Sequence, residues 1–283
     1  CLLGSICTLS AKDKKDVALY KDPKAPIEKR VNDLLSRMTL EEKVMQLNQY
    51  TLGRNNNVNN VGEEVKKVPA EIGSLIYFET NPALRNSMQK KAMEKSRLGI
   101  PIIFGYDAIH GFRTVYPISL AQACSWNPDL VEQACAVSAQ EARMSGVDWT
   151  FSPMIDVARD PRWGRVVESY GEDPYLVGEL GKQMILGLQN EGIVATPKHF
   201  AVYSIPVGGR DGGTRTDPHV APREMKTLYL EPFRKGIQEA GALGVMSSYN
   251  DYDGEPVSGS YHFLTEILRQ QWGFKGYVVS DSE

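Results

Sequence analysis

The sequence predicts an α/β fold with a parallel sheet, either an open doubly wound sheet or an incomplete (β/α) barrel. Short apolar runs rich in β-branched residues alternate with longer amphipathic stretches, which is typical of right-handed βαβ units. With 283 residues the chain is long enough for one barrel, which takes about 250 residues. No glycine-rich phosphate loop follows any candidate strand, which disfavours a nucleotide-binding sheet.

Six candidate strands and four helices with readable ends follow one another along the chain. Thr39 and Glu42 form a predicted capping box. Asn127 and Pro128 are typical of a helix start, and Gly146 of its end. Two further helices, 222–240 and 261–272, are predicted to end at glycines 241 and 273. The candidate strands are 73–78, 101–106, 148–152, 193–197, 244–249 and 276–280.

Composition excludes some classes of partner. A formal net charge of -3 gives no basic surface for nucleic acid and no polybasic membrane patch, and it is compatible with a neutral polar ligand. Residues 1–11 (CLLGSICTLSA) are interpreted as the remnant of a signal peptide, which predicts an exported protein, periplasmic or extracellular. Their apolar part is too short for a transmembrane segment, and a poorly ordered N-terminus is the alternative. Cys124 and Cys135 lack zinc-site spacing, and a disulfide stays open.

Polar side chains follow several of the candidate strands. Asp107, Lys198 with His199, Tyr249 and Asp281 stand at the carboxyl ends of four different strands. In a barrel these ends meet on one face, where active sites form. One such Asp alone is usually a helix cap, and one such His is as often a satisfied core residue. Their convergence therefore indicates a functional site.

A dense charged segment, 160–168, lies between two candidate strands. Such a segment usually forms a solvated surface, but Trp163 and Gly164 interrupt this one. This composition favours a packed loop that aims a guanidinium, from Arg162 or Arg165, with Glu168 close by in sequence.

From about residue 26 to its end, the chain resembles the N-terminal domain of glycoside hydrolase family 3. Several segments that resemble the family's motifs follow in the family's order. They are 30–47 (RVNDLLSRMTLEEKVMQL), 107–111 (DAIHG), 161–170 (PRWGRVVESY), 171–174 (GEDP), 198–200 (KHF), 247–250 (SSYN) and 279–281 (VSD). The resemblance implies a TIM-like (β/α)8 barrel over 12–283, truncated after about its sixth strand. The remaining strands and the α/β domain that follows in the family would then be absent.

The resemblance also implies a retaining exo-glycosidase that acts on a β-linked oligosaccharide without a cofactor or a bound metal. Asp281 matches the family's nucleophile. Residues implied to bind the sugar are Asp107, Arg165, Lys198, His199 and Tyr249. A retaining mechanism also needs a second carboxyl group about 5–5.5 Å from the nucleophile. No residue is assigned this role, because the family commonly supplies it from the following domain, and Glu283 lies too near Asp281 along the chain.

Substrate class is argued from departures within the family. The chain has 198–203 (KHFAVY) where an N-acetylhexosaminide branch carries Lys-His-Phe-Pro-Gly-His-Gly, which disfavours that branch. A β-xylosidase branch resembles Asn-Glu-Ala-Leu-His-Gly where this chain has Asp107, and the shorter side chain leaves room for a hydroxymethyl group. We therefore expect a β-glucosidase. A β-xylosidase, a phosphorylase on the same scaffold and a non-catalytic sugar-binding protein remain as alternatives, and the sequence leaves the oligomeric state open.

Overall fold

A computed structural model describes residues 18–53, 61–205 and 216–281 of the chain. The signal peptide predicted for 1–11 and the position of Glu283 lie outside these described residues. Among the described residues, no helix has the length and apolar character needed to cross a bilayer.

Four parallel strands form the first part of the sheet, in the same order as in the sequence. They are β1 (Gln49–Leu52), β2 (Ser74–Tyr77), β3 (Ile103–Tyr106) and β4 (Trp149–Thr150). The last three lie within predicted strands. The sequence does not predict β1, because two of its four residues, Gln49 and Thr51, are polar. In the structure, its residues do not alternate between buried and exposed. Its register with β2, which pairs Tyr50 with Leu75, is therefore set by tertiary packing.

Two further parallel strands, β5 (Gly244–Ser247) and β8 (Tyr277–Ser280), pair with each other and confirm two predicted strands. Between them lies a short antiparallel hairpin, β6 (Asp251–Tyr252) and β7 (Glu255–Pro256). Its turn residues Asp253 and Gly254 both have positive φ, at 51° and 79°. Asp and Gly are suited to this turn because they tolerate left-handed backbone better than most residues.

The predicted strand 193–197 is wrong as a regular strand, although its backbone links the two parts of the sheet. Val194 N donates to Asp148 O at 2.9 Å on one side, and Gly244 N donates to Ala195 O at 3.1 Å on the other. Only isolated bridges form, since Pro197 has no N–H to donate to a ladder. Within the described residues β1 and β8 are not paired with each other, so the strands curve around an interior without closing a ring.

Helices connect the strands and cover the outside of the sheet. Thr39 makes the predicted capping box with Glu42, and Asn127 caps the next predicted helix through Leu130 N. The α-helices are α1 (Ile27–Arg37), α2 (Leu40–Leu47), α3 (Val61–Lys67), α4 (Pro82–Lys95), α5 (Ser119–Ala123), α6 (Pro128–Met144), α7 (Pro174–Asn190), α8 (Pro222–Glu224) and α9 (Glu231–Gln238). Short 3-10 helices cover Leu19–Lys21, Val166–Glu168 and Val257–Gly259, and π-helical segments cover Met225–Tyr229 and His262–Gln271. The segment predicted as the last α-helix is therefore π-helical.

The core lies between the sheet and helices α6, α7 and α9, where Leu180, Phe200 and Phe233 are almost completely buried. α6 and α7 approach closely at Gly187, where a β-carbon would lie 2.5 Å from Glu132 O. Cys135 is buried in this core, Cys124 is exposed, and both thiols are free, so the two cysteines form no disulfide with each other.

Gly187→Ala is expected to destabilise the domain, because the added methyl group meets a backbone oxygen of α6 that no side-chain rotation can move. Overpacking of this kind costs about 1–3 kcal/mol. The measurement is calorimetric unfolding of the full-length protein. Gly259→Ala is the matched control, since a β-carbon there has no heavy atom within 4 Å. Equal unfolding temperatures for both variants would contradict the close α6–α7 packing.

Candidate active site

The polar residues predicted at the strand ends lie on one edge of the sheet, because all the strands that carry them run parallel. Asp107 directly follows β3, Asp281 directly follows β8, and Tyr249 comes two residues after β5. Lys198 and His199 directly follow the irregular segment 193–197, and a cis peptide bond joins them. The structure therefore brings residues from four segments of the chain to the same face.

Asp107 and Lys198 form an ion pair across this face. Lys198 Nζ lies 3.3 Å from Asp107 Oδ1, and the lysine side chain is only 4% exposed, against 37% for the aspartate. A buried ammonium group needs a charged partner, and Asp107 supplies it. The carboxylate remains open to solvent on its other side, where it can accept hydrogen bonds from a ligand hydroxyl.

Arg165 is the buried guanidinium of the site. Its Nε and Nη2 donate to the two carboxylate oxygens of Glu168, both at 2.8 Å. Burial alone would lower the pKa of Arg165, but the hydrogen bonds and the charge of Glu168 outweigh that effect and raise it. Arg162, in contrast, pairs with Asp160 and keeps its side chain 78% exposed. The predicted packed loop with an aimed guanidinium is therefore confirmed, and Arg165 is the residue that carries it.

His199 lies at the centre of the site and is completely buried. Its Nδ1 is 2.8 Å from Asp156 Oδ2, and its Nε2 is 3.0 Å from Arg165 Nη1 and 3.3 Å from Asp281 Oδ2. Burial, together with the charges of Arg165 and Lys198, holds the pKa of His199 well below its usual value. The imidazole is therefore neutral at physiological pH.

Asp156 was not among the predicted site residues. Its Oδ2 accepts a hydrogen bond from the backbone N–H of His199, at 3.0 Å, and lies 2.8 Å from the imidazole Nδ1. Burial raises the pKa of Asp156 from 3.8 to about 7, although the charge of Arg165 opposes the shift. A signal was present in the sequence, because one aspartate interrupts the otherwise apolar end of 151–157 (FSPMIDV), and a buried carboxylate requires partners.

Aromatic rings support the side chains of this face. The ring of Tyr203 lies edge-on to those of His199 and Trp163, with centroids 5.0 and 5.6 Å away. Tyr249, one of the residues implied to bind the sugar, packs against Tyr203 with ring centroids 5.7 Å apart. Burial raises the pKa of Tyr203 to about 12, so its hydroxyl stays protonated. These contacts restrict the rotamers of the polar groups.

A cavity of about 600 Å³ lies inside the curved sheet, between β1 and β8. Asp281 lines it, together with Trp149 and Tyr277, whose rings are 5.0 Å apart. The Asp281 side chain is 13% exposed, and His199 contacts its carboxylate from the protein side.

Comparison with known proteins agrees with this architecture. Residues 39–283 match the sequence profile of the Glycosyl hydrolase family 3 N terminal domain. The chain belongs to this family. The match confirms the predicted α/β fold of the TIM-barrel type, of which the described residues form the open, parallel part.

Two similar sequences and one solved structure support the same family assignment. The chain is 38% identical over 257 residues to a periplasmic beta-glucosidase of Salmonella typhimurium, covering 89% of this chain and 33% of the relative. It is 35% identical to a putative beta-xylosidase of Formosa agariphila, covering 93% and 38% of the two chains. The crystal structure of a beta-glucosidase from Listeria innocua in complex with glucose has a TM-score of 0.80 at 37% identity, covering 90% of this chain and 37% of that one. The chain thus spans about a third of the length of these relatives.

Stability is expected to fall as pH rises from about 4 to about 7, because the folded state holds a proton on Asp156 that the unfolded state has already released. The slope reaches about 1.4 kcal/mol per pH unit and vanishes above pH 7. Asp156→Asn removes this titrating group. The free energy of urea unfolding of the variant should therefore change less between pH 5 and pH 8 than that of the wild type. Asp160→Asn is the control, since the pKa of Asp160 is about 2 and its titration lies below this window. An unchanged slope in Asp156→Asn would contradict the shift.

Proposed function

We propose that this chain carries the sugar-binding and nucleophile site of a retaining, exo-acting β-glycosidase that releases terminal glucose from β-linked oligosaccharides. The observation that carries the proposal is the position of Asp281. Its carboxylate follows a parallel strand, lines the interior of the curved sheet and meets the buried His199–Arg165 group. The named relatives act as support, since they include a beta-glucosidase and a putative beta-xylosidase.

Asp281 is the proposed nucleophile. One carboxylate oxygen attacks the anomeric carbon of the terminal sugar, the bond to the leaving-group oxygen breaks, and a covalent glycosyl-enzyme forms, which water then hydrolyses. Attack requires the ionised carboxylate, and the cations Arg165 and Lys198 on this face favour that form. His199 is neutral, so its ring adds no positive charge to theirs.

The same face is proposed to hold the terminal sugar. Asp107 is partly exposed and accepts hydrogen bonds from sugar hydroxyls while Lys198 holds it in place. Because such hydrogen bonds involve a charged acceptor, they are stronger than those between neutral groups. The other proposed contacts to the sugar are made by Arg165, Lys198, His199 and Tyr249, and together they orient the anomeric carbon towards Asp281.

Glucose is preferred over xylose in this proposal. Asp107 is one methylene shorter than the glutamate of the xylosidase branch, which leaves space for a hydroxymethyl group. A β-xylosidase is the second candidate, favoured by the 35% identity to the Formosa agariphila relative. Phosphate-dependent turnover would indicate a phosphorylase instead, and sugar binding without labelling of Asp281 a non-catalytic protein.

A second carboxyl group must protonate the leaving oxygen. Among the described residues at this face, Arg165 holds both oxygens of Glu168, and Asp156 contacts the backbone N–H and the imidazole of His199. Both carboxyl groups are thus engaged with their neighbours, and we assign the acid/base role to neither. We place the protein in an exported compartment, periplasmic or extracellular, by analogy with the periplasmic relative.

Incubation of the full-length protein with 2-deoxy-2-fluoro-β-glucosyl fluoride is expected to add one glycosyl group, which peptide mapping locates on Asp281. Fluoride leaves without a general acid, so the reaction reports the nucleophile alone. Asp281→Asn is expected to give no adduct. Labelling only by the xylosyl analogue would support the β-xylosidase, and labelling by neither reagent would contradict a retaining mechanism on Asp281.

Asp107→Ala is expected to weaken sugar binding more than it slows the attack by Asp281 on the sugar. Loss of a hydrogen bond to a charged group costs about 1.5–3 kcal/mol, or about 10- to 150-fold in KM for an aryl β-glucoside. Labelling of Asp281 at saturating reagent should persist. The control is Asp129→Ala, an exposed aspartate in the first turn of α6. Complete loss of labelling in Asp107→Ala would contradict this division of roles.

A further inference from the structure

We propose that Asp156 is a positioning residue of the site, which holds His199 in the tautomer with its proton on Nδ1 and thereby makes Nε2 an acceptor that aims Arg165. The inference rests on the proposed function for the identity of the ligand, a sugar. The tautomer itself follows from the contacts around the imidazole.

Arg165 determines which nitrogen carries the proton. Its Nη1 lies 3.0 Å from Nε2 of His199, within hydrogen-bond distance. A guanidinium has only N–H groups and does not lose its charge in proteins. Nε2 must therefore be the acceptor in this contact and carries no hydrogen. A neutral imidazole has one N–H, which then lies on Nδ1.

Asp156 receives that proton. Its Oδ2 is 2.8 Å from Nδ1 and 3.0 Å from the backbone N of the same histidine. The backbone N–H can only donate, so Oδ2 already acts as an acceptor and takes a second hydrogen bond from Nδ1–H. A proton bound by Asp156 itself resides on the other oxygen, and the arrangement is therefore the same for the neutral and the ionised acid.

The opposite tautomer fits these surroundings poorly. A hydrogen on Nε2 would point at the N–H of Arg165, and the bare Nδ1 would face an accepting oxygen of Asp156. Its single favourable contact would be a hydrogen bond to Asp281 Oδ2 at 3.3 Å. Two contacts thus oppose this tautomer and one supports it. The preference between the two tautomers of His199 therefore depends on Asp156, because it supplies one of the two contacts that oppose a proton on Nε2.

Two consequences follow for the site. Arg165 is held on one side by Glu168 and on the other by His199, so Asp156 fixes the guanidinium through the imidazole. The second concerns Asp281. It receives no hydrogen bond from His199 in this tautomer, so the imidazole does not reduce the nucleophilicity of its carboxylate. The proposed sugar contact of His199 is correspondingly that of an acceptor.

The first test is nitrogen NMR of the full-length protein labelled with 15N-histidine, with the His199→Asn variant assigning the signals. We expect Nδ1 of His199 to show the shift of a protonated nitrogen and Nε2 that of an unprotonated one. In Asp156→Ala the proton is expected to move to Nε2, because the acceptor is gone. In Asp156→Asn it should stay on Nδ1, since the backbone N–H of His199 orients the amide oxygen towards both donors.

The second test is kinetic, on an aryl β-glucoside. Misplacement of a catalytic group by about 1 Å costs about 100-fold in rate, and we expect a loss of this order in kcat/KM for Asp156→Ala. Asp156→Asn should stay within a few-fold of the wild type. Asp148→Asn is the matched control, because Asp148 likewise accepts a backbone N–H, from Phe104 at 2.9 Å, without contacting His199.

The two tests separate this inference from the proposed function. A proton on Nε2 in the wild type would overturn the inference, whatever the activity. Retention of both the tautomer and the activity in Asp156→Ala would also overturn it. Inactive wild type without labelling of Asp281, but with an unprotonated Nε2, would contradict the glycosidase proposal and support the tautomer assignment.

Discussion

The burial of a charged guanidinium at the centre of a polar face constrains the rest of this structure. Arg165 is 8% exposed, and removing such a group from water is favourable only if charged and polar partners replace its hydration. Glu168 satisfies one edge with two hydrogen bonds, and His199 satisfies the other with a lone pair. Each partner needs its own support in turn. Asp156 supports the imidazole, and the ring of Tyr203 packs against it.

This network also favours a single arrangement of the side chains in the site. A half-satisfied buried network is less favourable than an apolar core, whereas a fully paired one specifies a single arrangement of its members. The side chains of this network come from the loop after β4, from residues 165–168 and from the residues that follow segment 193–197. Small displacements of any of these segments would leave a buried donor or acceptor unpaired. The geometry that a nucleophile and a sugar require is therefore maintained by the energetic cost of disturbing it.

The sheet contributes to the site through the common direction of its strands. Parallel strands end at the same edge, so Asp107 and Asp281 lie on one face although they are far apart in sequence. The outer helices fix the strands through close contacts, such as that of Gly187 with the backbone of α6. Asp281 lies at the end of β8, where it lines the interior of the curved sheet and contacts His199.

Local interactions were predictable from the sequence, and long-range ones were not. The Thr39 capping box and the helix start at Asn127 depend on residues three positions away, and both are confirmed. The sequence predicts a strand at 193–197 and none at β1, and the structure differs at both places because strand pairing depends on neighbours distant in sequence. The motifs and the alternating pattern determined the family, the fold class and the candidate residues. Only the tertiary structure brought Arg165 and Asp156 to His199. Those contacts join residues 34 and 43 positions apart, which no local sequence pattern specifies.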